Sequence, residues 1–234
     1  MTRIAWVDWV KAILILLVAI GHHSSSPEWL LTIIYGFHLP LFLIVSGYLF
    51  KCNSICKITL RFLIPIVVFT IVGLFLRCLI SSDGFVDVLT HCTILDYRAD
   101  APNTILSGLW FVQVLWAIEV ICTLVESKTN RYLILEIIGA SICIMYIVFL
   151  SNISDVGKSF YLYRIFGCFP FFVFGRILKQ TAILETVNKV NKINAVSILV
   201  LLLIWGFFIV LNGRCDIYGL TYGRNYIILN SATL

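Results

Sequence analysis

The sequence predicts an all-α protein, a polytopic bundle of transmembrane helices. Of its 234 residues, 61% are hydrophobic and only 12% are charged, whereas a water-soluble domain carries roughly 25% charged residues. Apolar runs recur along the chain at close to the ~20 residues that a helix needs to cross a bilayer core. Lysine and arginine collect in alternate connecting segments, as they do in membrane proteins. We therefore expect a lipid bilayer around one continuous membrane-embedded domain, 1–234.

The apolar runs predict seven complete spans and a truncated eighth. The complete spans are expected at 4–21, 30–50, 58–80, 106–125, 132–150, 161–178 and 195–211. The eighth begins near residue 226 and is cut off at residue 234, so the domain is expected to be C-terminally incomplete, either as a fragment or as a natural truncation. A cleaved signal peptide is an alternative interpretation of the first run. Asp8 is unusual in the basic start of a signal, and a chain with further spans needs none.

The basic residues predict a multi-pass protein of the cell inner or plasma membrane with a cytoplasmic N-terminus. The external segment 81–107 is instead expected to be acidic. This asymmetry accounts for the net charge of +5, and because no long basic run is present we expect no nucleic-acid partner. The expected cytoplasmic segments hold Arg3, Lys11, Lys51, Lys57, Arg61, Lys128, Arg131, Arg176, Lys179, Lys189 and Lys192, and the external ones hold Arg98, Lys158, Arg214 and Arg224.

The eight cysteines are scattered and predict no metal site. Four of them, Cys78, Cys122, Cys143 and Cys168, lie in apolar runs, where cysteine behaves as a small hydrophobic residue. Cys52 and Cys56 flank a basic loop but have no histidine partners at zinc spacing.

The first span carries charged and ionisable side chains on one helical face. From Lys11 to His22 is eleven residues, which is three full turns plus roughly 20°. Asp8 falls on the same stripe, and His23 lies a quarter-turn away. Ionisable groups on membrane helices usually face a bundle interior or a water-filled cavity. The alternative is that Lys11 and His22 only reach the two membrane surfaces.

The second span contains His38 inside an apolar run, two residues before Pro40. Proline disturbs the helix and frees a backbone carbonyl, and such defects are tolerated in membranes where protein or a cavity covers them. Ser46 and Gly47 predict a small polar spot for close helix packing. His38 either lines a cavity or is a buried histidine bonded to a backbone carbonyl.

Four motifs resemble those of a known family, the acyltransferase 3 family of membrane O-acyltransferases. Lys11 and His22 match its [R/K]-x10-H signature, and FHLPLFLIVSGYLF, 37–50, is similar to its second-helix motif, which begins F-H-x-P-x-F and ends in S-G-Y. RFLIP, from Arg61 to Pro65, resembles the R-x-x-x-P pattern that opens its third helix. LWFVQVL, 109–115, resembles its L-W-F-L segment. The chain is most similar to the fucose 4-O-acetylase-like branch, whose members usually have more spans.

The resemblance implies transfer of an acetyl group from cytoplasmic acetyl-CoA to a sugar hydroxyl of a cell-surface polysaccharide or its lipid-linked precursor. Acetyl-CoA is the acyl donor, and no cofactor is expected to be bound permanently. A sugar hydroxyl needs a general base, and histidine suits that task near neutral pH. His22 is therefore the expected base, with Lys11 and Arg61 expected to attract the phosphates of coenzyme A. His38 is expected to line the cavity or to hold the acyl group.

Further residues are candidates for a substrate cavity. Asp8 is expected to orient Lys11, whereas Glu119 and Arg164 are intramembrane charges with no role assigned by the sequence. Trp110 is a candidate for stacking on a sugar, and a place in the interfacial aromatic belt is the alternative.

Two other functions remain open. Intramembrane His, Glu and Arg also suit a transporter or flippase for a polar solute, although no pair of similarly broken helices in two related halves points to a carrier. The abrupt end of the sequence raises an inactive truncated remnant as the third interpretation.

Overall fold

The computed structural model describes residues 5–23, 25–80, 110–146 and 162–181, together with residue 204. The regular elements in these ranges are helices, so the predicted all-α class is confirmed for this part of the chain. In chain order they are α1 (Ala5–Gly21), α2 (Glu28–Leu49), α3 (Ile55–Ile80), α4 (Trp110–Lys128), α5 (Tyr132–Met145) and α6 (Leu162–Gln180).

Three of these helices are long and apolar enough to cross a membrane. They are α2, the Ile55–Gly73 part of α3, and α4, while α5 is apolar but shorter. The predicted total of seven spans and a truncated eighth is not confirmed. The runs expected at 195–211 and from residue 226, and the acidic segment 81–107, lie outside the described residues apart from residue 204.

Local capping explains where α3 and α4 differ from the predicted spans. The backbone N–H of Lys57 donates to the Ser54 side chain at 3.4 Å, and the N–H of Ile58 donates to the Ser54 carbonyl at 3.1 Å. Serine favours helix starts because it satisfies such N–H groups, and α3 therefore begins three residues before the apolar run. Helix α4 extends three residues beyond the predicted span, to Lys128. This lysine lies in the last turn, where a cation interacts favourably with the helix dipole.

Proline shapes both the start and the middle of α2. Pro27 has extended backbone angles, with ψ 143°, directly before Glu28. Pro40 lies inside the helix and has no N–H to offer the carbonyl of Gly36. The second predicted span thus forms one helix in spite of its proline.

Contacts divide the chain into two compact units, Met1–Phe50 with Pro170–Leu234, and Lys51–Phe169. Among the described residues, the first unit contains α1, α2 and the part of α6 from Pro170 onward. The second unit contains α3, α4, α5 and the part of α6 before Pro170.

In the first unit, α2 and α6 approach so closely that both helices need glycine. A Cβ added to Gly47 would lie 2.9 Å from the carbonyl carbon of Phe172. A Cβ added to Gly175 would lie 2.8 Å from the carbonyl carbon of Ile44 and 2.9 Å from the backbone nitrogen of Tyr48. The two backbones are therefore in direct contact, as small residues permit between membrane helices. The predicted close-packing spot is confirmed at Gly47.

Cationic side chains of α6 fix the end of α2 in the same unit. Lys179 Nζ donates to the carbonyl oxygen of Phe50 at 2.6 Å, and a lysine suits the last carbonyls of a helix. The guanidinium of Arg176 lies 4.5 Å from the centre of the Phe50 ring. Arg176 is buried, with its guanidinium over this ring. The sequence had placed it among the cytoplasmic charges.

In the second unit, α4 and α5 form a helical hairpin. The short connection 129–131 makes them antiparallel neighbours, and the N–H of Arg131 donates to the Thr129 hydroxyl at 3.1 Å within it. Val114, Ile118 and Cys122 are fully buried. Their spacing of four residues places them on one face of α4, and this face forms part of the unit's core.

Candidate active site

The stripe predicted on the first span exists in α1. The backbone N–H of His22 donates to the carbonyl of Val18 at 3.1 Å, so the helical bonding pattern continues to His22. Lys11 and His22 are therefore separated by three turns, about 16 Å along the axis.

The burial pattern of α1 shows which part of the stripe faces the protein. Val7 and Leu14 are buried and mark the packed face of the helix. Lys11 lies four residues after Val7 and three before Leu14, hence on that face, and it is half-buried. Asp8 and His22 are exposed, because the stripe runs along the edge of the packed face.

The two neighbouring histidines differ in their surroundings. The N–H of His23 donates to the carbonyl of Ile20 at 3.1 Å, which tightens the end of the helix, and its Nδ1 accepts the N–H of Ser25 at 3.2 Å. His23 thus helps to shape the turn between α1 and α2. His22 differs from His23 because its backbone N–H still follows the helical bonding pattern of α1.

His38 is buried, with 5% of its surface exposed. Its Nδ1 lies 2.7 Å from the carbonyl oxygen of Ile34, one turn earlier on α2. A carbonyl oxygen only accepts hydrogen bonds, so Nδ1 is the donor in this contact. The backbone-bonded histidine, one of the two interpretations of the sequence, is observed, and it fixes the ring orientation. The Tyr35 ring meets the imidazole edge-on at 5.3 Å.

In the second unit, the structure pairs two residues that the sequence named separately. Arg61 on α3 forms an ion pair with Glu119 on α4. Only 8% of the Glu119 side chain is exposed, against 55% for Arg61. A second polar contact joins the same helices, in which the indole N–H of Trp116 donates to the hydroxyl of Thr59 at 3.2 Å.

The structure also brings Trp110 and Arg164 together within the second unit. The guanidinium of Arg164 lies 5.5 Å from the centre of a Trp110 ring, within the range of a cation–π interaction. Phe111 meets the indole edge-on at 5.8 Å. The two candidates therefore form one aromatic and cationic surface, which neither residue indicated alone.

One buried acidic residue is not among those predicted from the sequence. Glu136 on α5 has only 2% of its surface exposed. The available signal was a single acid five residues into the apolar run 132–150, since acids in membrane spans usually face the bundle interior.

The described residues form helices, several of them long and apolar enough to cross a membrane, and ionisable side chains lie on them. These features define a class of integral membrane protein. A family model described as an acyltransferase domain matches residues 4–233. The chain belongs to this acyltransferase family, and the resemblance seen in the motifs is confirmed. The match extends over both units, and the single-domain organisation remains a prediction.

The chain is similar to the nodulation protein NolL of Sinorhizobium fredii (strain NBRC 101917 / NGR234). The two are 27% identical over 192 residues, which cover 74% of this chain and 48% of the relative. The chain thus spans about half the length of the curated relative that it matches. No solved structure matches it.

Proposed function

We propose that the protein is a membrane-bound O-acetyltransferase. It moves an acetyl group from cytoplasmic acetyl-CoA to a sugar hydroxyl of a cell-surface polysaccharide or its lipid-linked precursor. The observation that carries the proposal is the Lys11–His22 stripe on α1 in a chain of the acyltransferase family. Its supporting feature is the unbroken helical bonding up to His22, which keeps the two side chains on one face.

His22 is the proposed general base. A ring nitrogen takes the proton of the sugar hydroxyl while the oxygen attacks the carbonyl carbon of the thioester. The C–S bond then breaks, and the departing thiolate of coenzyme A recovers the proton from the imidazolium. The products are an acetylated sugar and free coenzyme A, so the histidine is regenerated in each cycle.

Two cations are proposed to bind the donor, each argued from its own unit. Lys11 is half-buried on the packed edge of α1, where a point charge attracts phosphate, and exposed Asp8 is proposed to orient it. Arg61 has a largely exposed side chain, and its planar guanidinium suits phosphate oxygens. Neither role requires a permanently bound cofactor.

The remaining candidates are proposed for substrate contact. The contact with the Ile34 carbonyl fixes the orientation of the His38 ring, and His38 is proposed to line the cavity or hold the acyl group. The surface formed by Trp110 and Arg164 is proposed to stack on the acceptor sugar, since an aromatic face is apolar and an adjacent guanidinium donates hydrogen bonds.

Mass spectrometry of surface glycans tests the proposed function. Cells producing the protein should carry acetylated glycans, and cells lacking it should not. Cells producing His22→Ala at the same membrane level serve as the matched control and should resemble the cells without the protein. Identical acetylation in all three would contradict the acetyltransferase and would favour a transporter or an inactive chain.

The proposed topology places the N-terminus in the cytoplasm of the inner or plasma membrane. It puts the connection after α1 outside and the connection after α2 inside. Cys52 and Cys56 are exposed in or beside the latter connection, and they serve as native labels once the other cysteines are replaced. A membrane-impermeant maleimide should react with them only after the cells are permeabilised.

The matched control for topology is Ser25→Cys in a background without other cysteines. Ser25 is exposed in the connection after α1 and should react in intact cells. The reverse labelling pattern would invert the orientation.

A further inference from the structure

The ion pair between Arg61 and Glu119 has one deeply buried partner and one that reaches outward. Glu119 lies near the middle of α4, with 8% of its side chain exposed, whereas 55% of the Arg61 side chain is exposed. An ionised group inside a membrane span is costly, and such groups generally pair or line a water-filled cavity. The carboxylate is therefore the fixed member of the pair, since it is enclosed by its own unit.

The guanidinium of Arg61 is restrained from two directions. Its Nη2 donates to Oε2 of Glu119, and its central carbon lies 4.9 Å from the centre of the Phe62 ring. Arginine has five N–H donors in a rigid planar fork. One bond through Nη2 leaves donors on the other edges of the fork to bind an anion. A long side chain held in this way loses less conformational entropy on binding than one that moves freely.

We propose that Glu119 is a positioning residue for Arg61, which in turn contacts a phosphate group of the acyl donor. This inference rests on the proposed function. The buried carboxylate sets the direction of the guanidinium plane, and the outward edge of the fork receives the phosphate. Without Glu119, Arg61 retains its charge but loses the orientation that makes a multidentate contact stronger than a point charge.

The expected effect lies in donor binding. Glu119→Gln should raise the KM for acetyl-CoA by roughly tenfold, the effect of weakening one charge-assisted hydrogen bond, with kcat and the KM for the acceptor close to wild type. Arg61→Gln should raise the same KM at least as far. If Glu119 acts through Arg61, adding Glu119→Gln to Arg61→Gln should raise it no further.

Two controls separate positioning from helix packing. Thr59→Val removes a different polar contact between α3 and α4, the hydrogen bond from Trp116, without touching the ion pair, and it should leave the KM for acetyl-CoA near wild type. S-acetyl-pantetheine carries the same thioester but no phosphate. Its use by the enzyme should be equally efficient in wild type and in Glu119→Gln.

Several outcomes would overturn the inference. An unchanged or lower KM for acetyl-CoA in Glu119→Gln would show that the carboxylate opposes the anion or is irrelevant to it. Equal losses with S-acetyl-pantetheine, an equal loss in Thr59→Val, or additive effects in the double variant would each indicate a packing role.

Coenzyme A binding, measured by calorimetry on the purified full chain, distinguishes failure of this inference from failure of the proposed function. Wild-type protein that transfers no acetyl group contradicts the function. Weaker binding of coenzyme A by Glu119→Gln than by wild type would still support the positioning role, and equal binding would reject it.

Discussion

The two units join their helices by different means. In the first unit, α2 and α6 meet backbone to backbone at Gly47 and Gly175. In the second, α3 and α4 are joined by polar side chains, an ion pair between Arg61 and Glu119 and a hydrogen bond from Trp116. The contact in the first unit requires glycine, which has no side chain. The contacts in the second unit require particular charged and polar side chains.

This difference predicts which substitutions affect folding and which affect activity. A direct backbone contact leaves no space for an added group, and close-packed interiors respond to overpacking with strain. An ion pair with one exposed member responds gradually to substitution, because the exposed group can find water or another anion. We therefore expect substitutions at the glycines to decide whether the first unit folds, and substitutions at polar positions to change how well the protein acts.

The largest effect is expected from Gly47→Ala. The added Cβ would overlap the backbone of Phe172, and overpacking typically costs ~1–3 kcal/mol even where neighbouring side chains can move. Backbone moves less easily, so the variant should lose the monodisperse peak of the wild type in fluorescence-detected size-exclusion chromatography.

Gly21→Ala is the matched control for Gly47→Ala in the same unit. A Cβ at Gly21 would meet the side chains of Ile34 and Tyr35 at 3.5 Å, which is an ordinary contact distance. This variant should elute like the wild type. Equal behaviour of Gly47→Ala and Gly21→Ala would remove the contrast between the two units.

The next largest effect concerns catalysis without loss of folding. His22→Ala should lower the rate of acetyl transfer by ~10²–10⁴-fold, as is typical for a lost general base, while the exposed position leaves stability unchanged. His23→Ala should cost far less, because its ring accepts a local backbone N–H. The measurement is acetyl transfer in membranes, normalised to folded protein, and similar rates for both variants would contradict the assignment.

A smaller effect is expected at Lys11. Lys11→Ala should raise the KM for acetyl-CoA by roughly tenfold, since a cation near phosphate contributes a charge-assisted hydrogen bond, with less change in kcat. Lys11→Arg should retain activity, because arginine keeps the positive charge and also satisfies the [R/K]-x10-H signature. A loss in Lys11→Arg as large as in Lys11→Ala would show that the position requires lysine for another reason.

The sequence predicted features within one helix better than contacts between residues far apart in the chain. The helical class follows from the composition and from the length of the apolar runs, and the structure confirms it for the described residues. The shared face of Lys11 and His22 follows from the periodicity of one helix, and the helical bonding of α1 continues to His22. The pairing of Arg61 with Glu119 was not predicted, because the residues are 58 positions apart and their meeting depends on how α3 packs on α4. Arg61 was expected to be a cation for coenzyme A, without its carboxylate partner.

His38 shows the same limit within one helix. The sequence allowed both a cavity-lining role and a backbone-bonded ring, and the bond to Ile34 depends on a rotamer that periodicity does not specify. The catalytic and binding roles of all these residues remain predictions.

The backbone contact at Gly47 and Gly175 has a consequence for evolution. Each glycine meets main-chain atoms of the other helix, and every amino acid supplies those atoms, so no substitution on the opposite helix can compensate for a lost glycine. The Arg61–Glu119 pair is formed by side-chain atoms instead, and its proposed role depends on the donor. Among sequences that share this fold, the two glycine positions should therefore be fixed whatever the donor, whereas the charged pair should be retained together only where the donor carries phosphate.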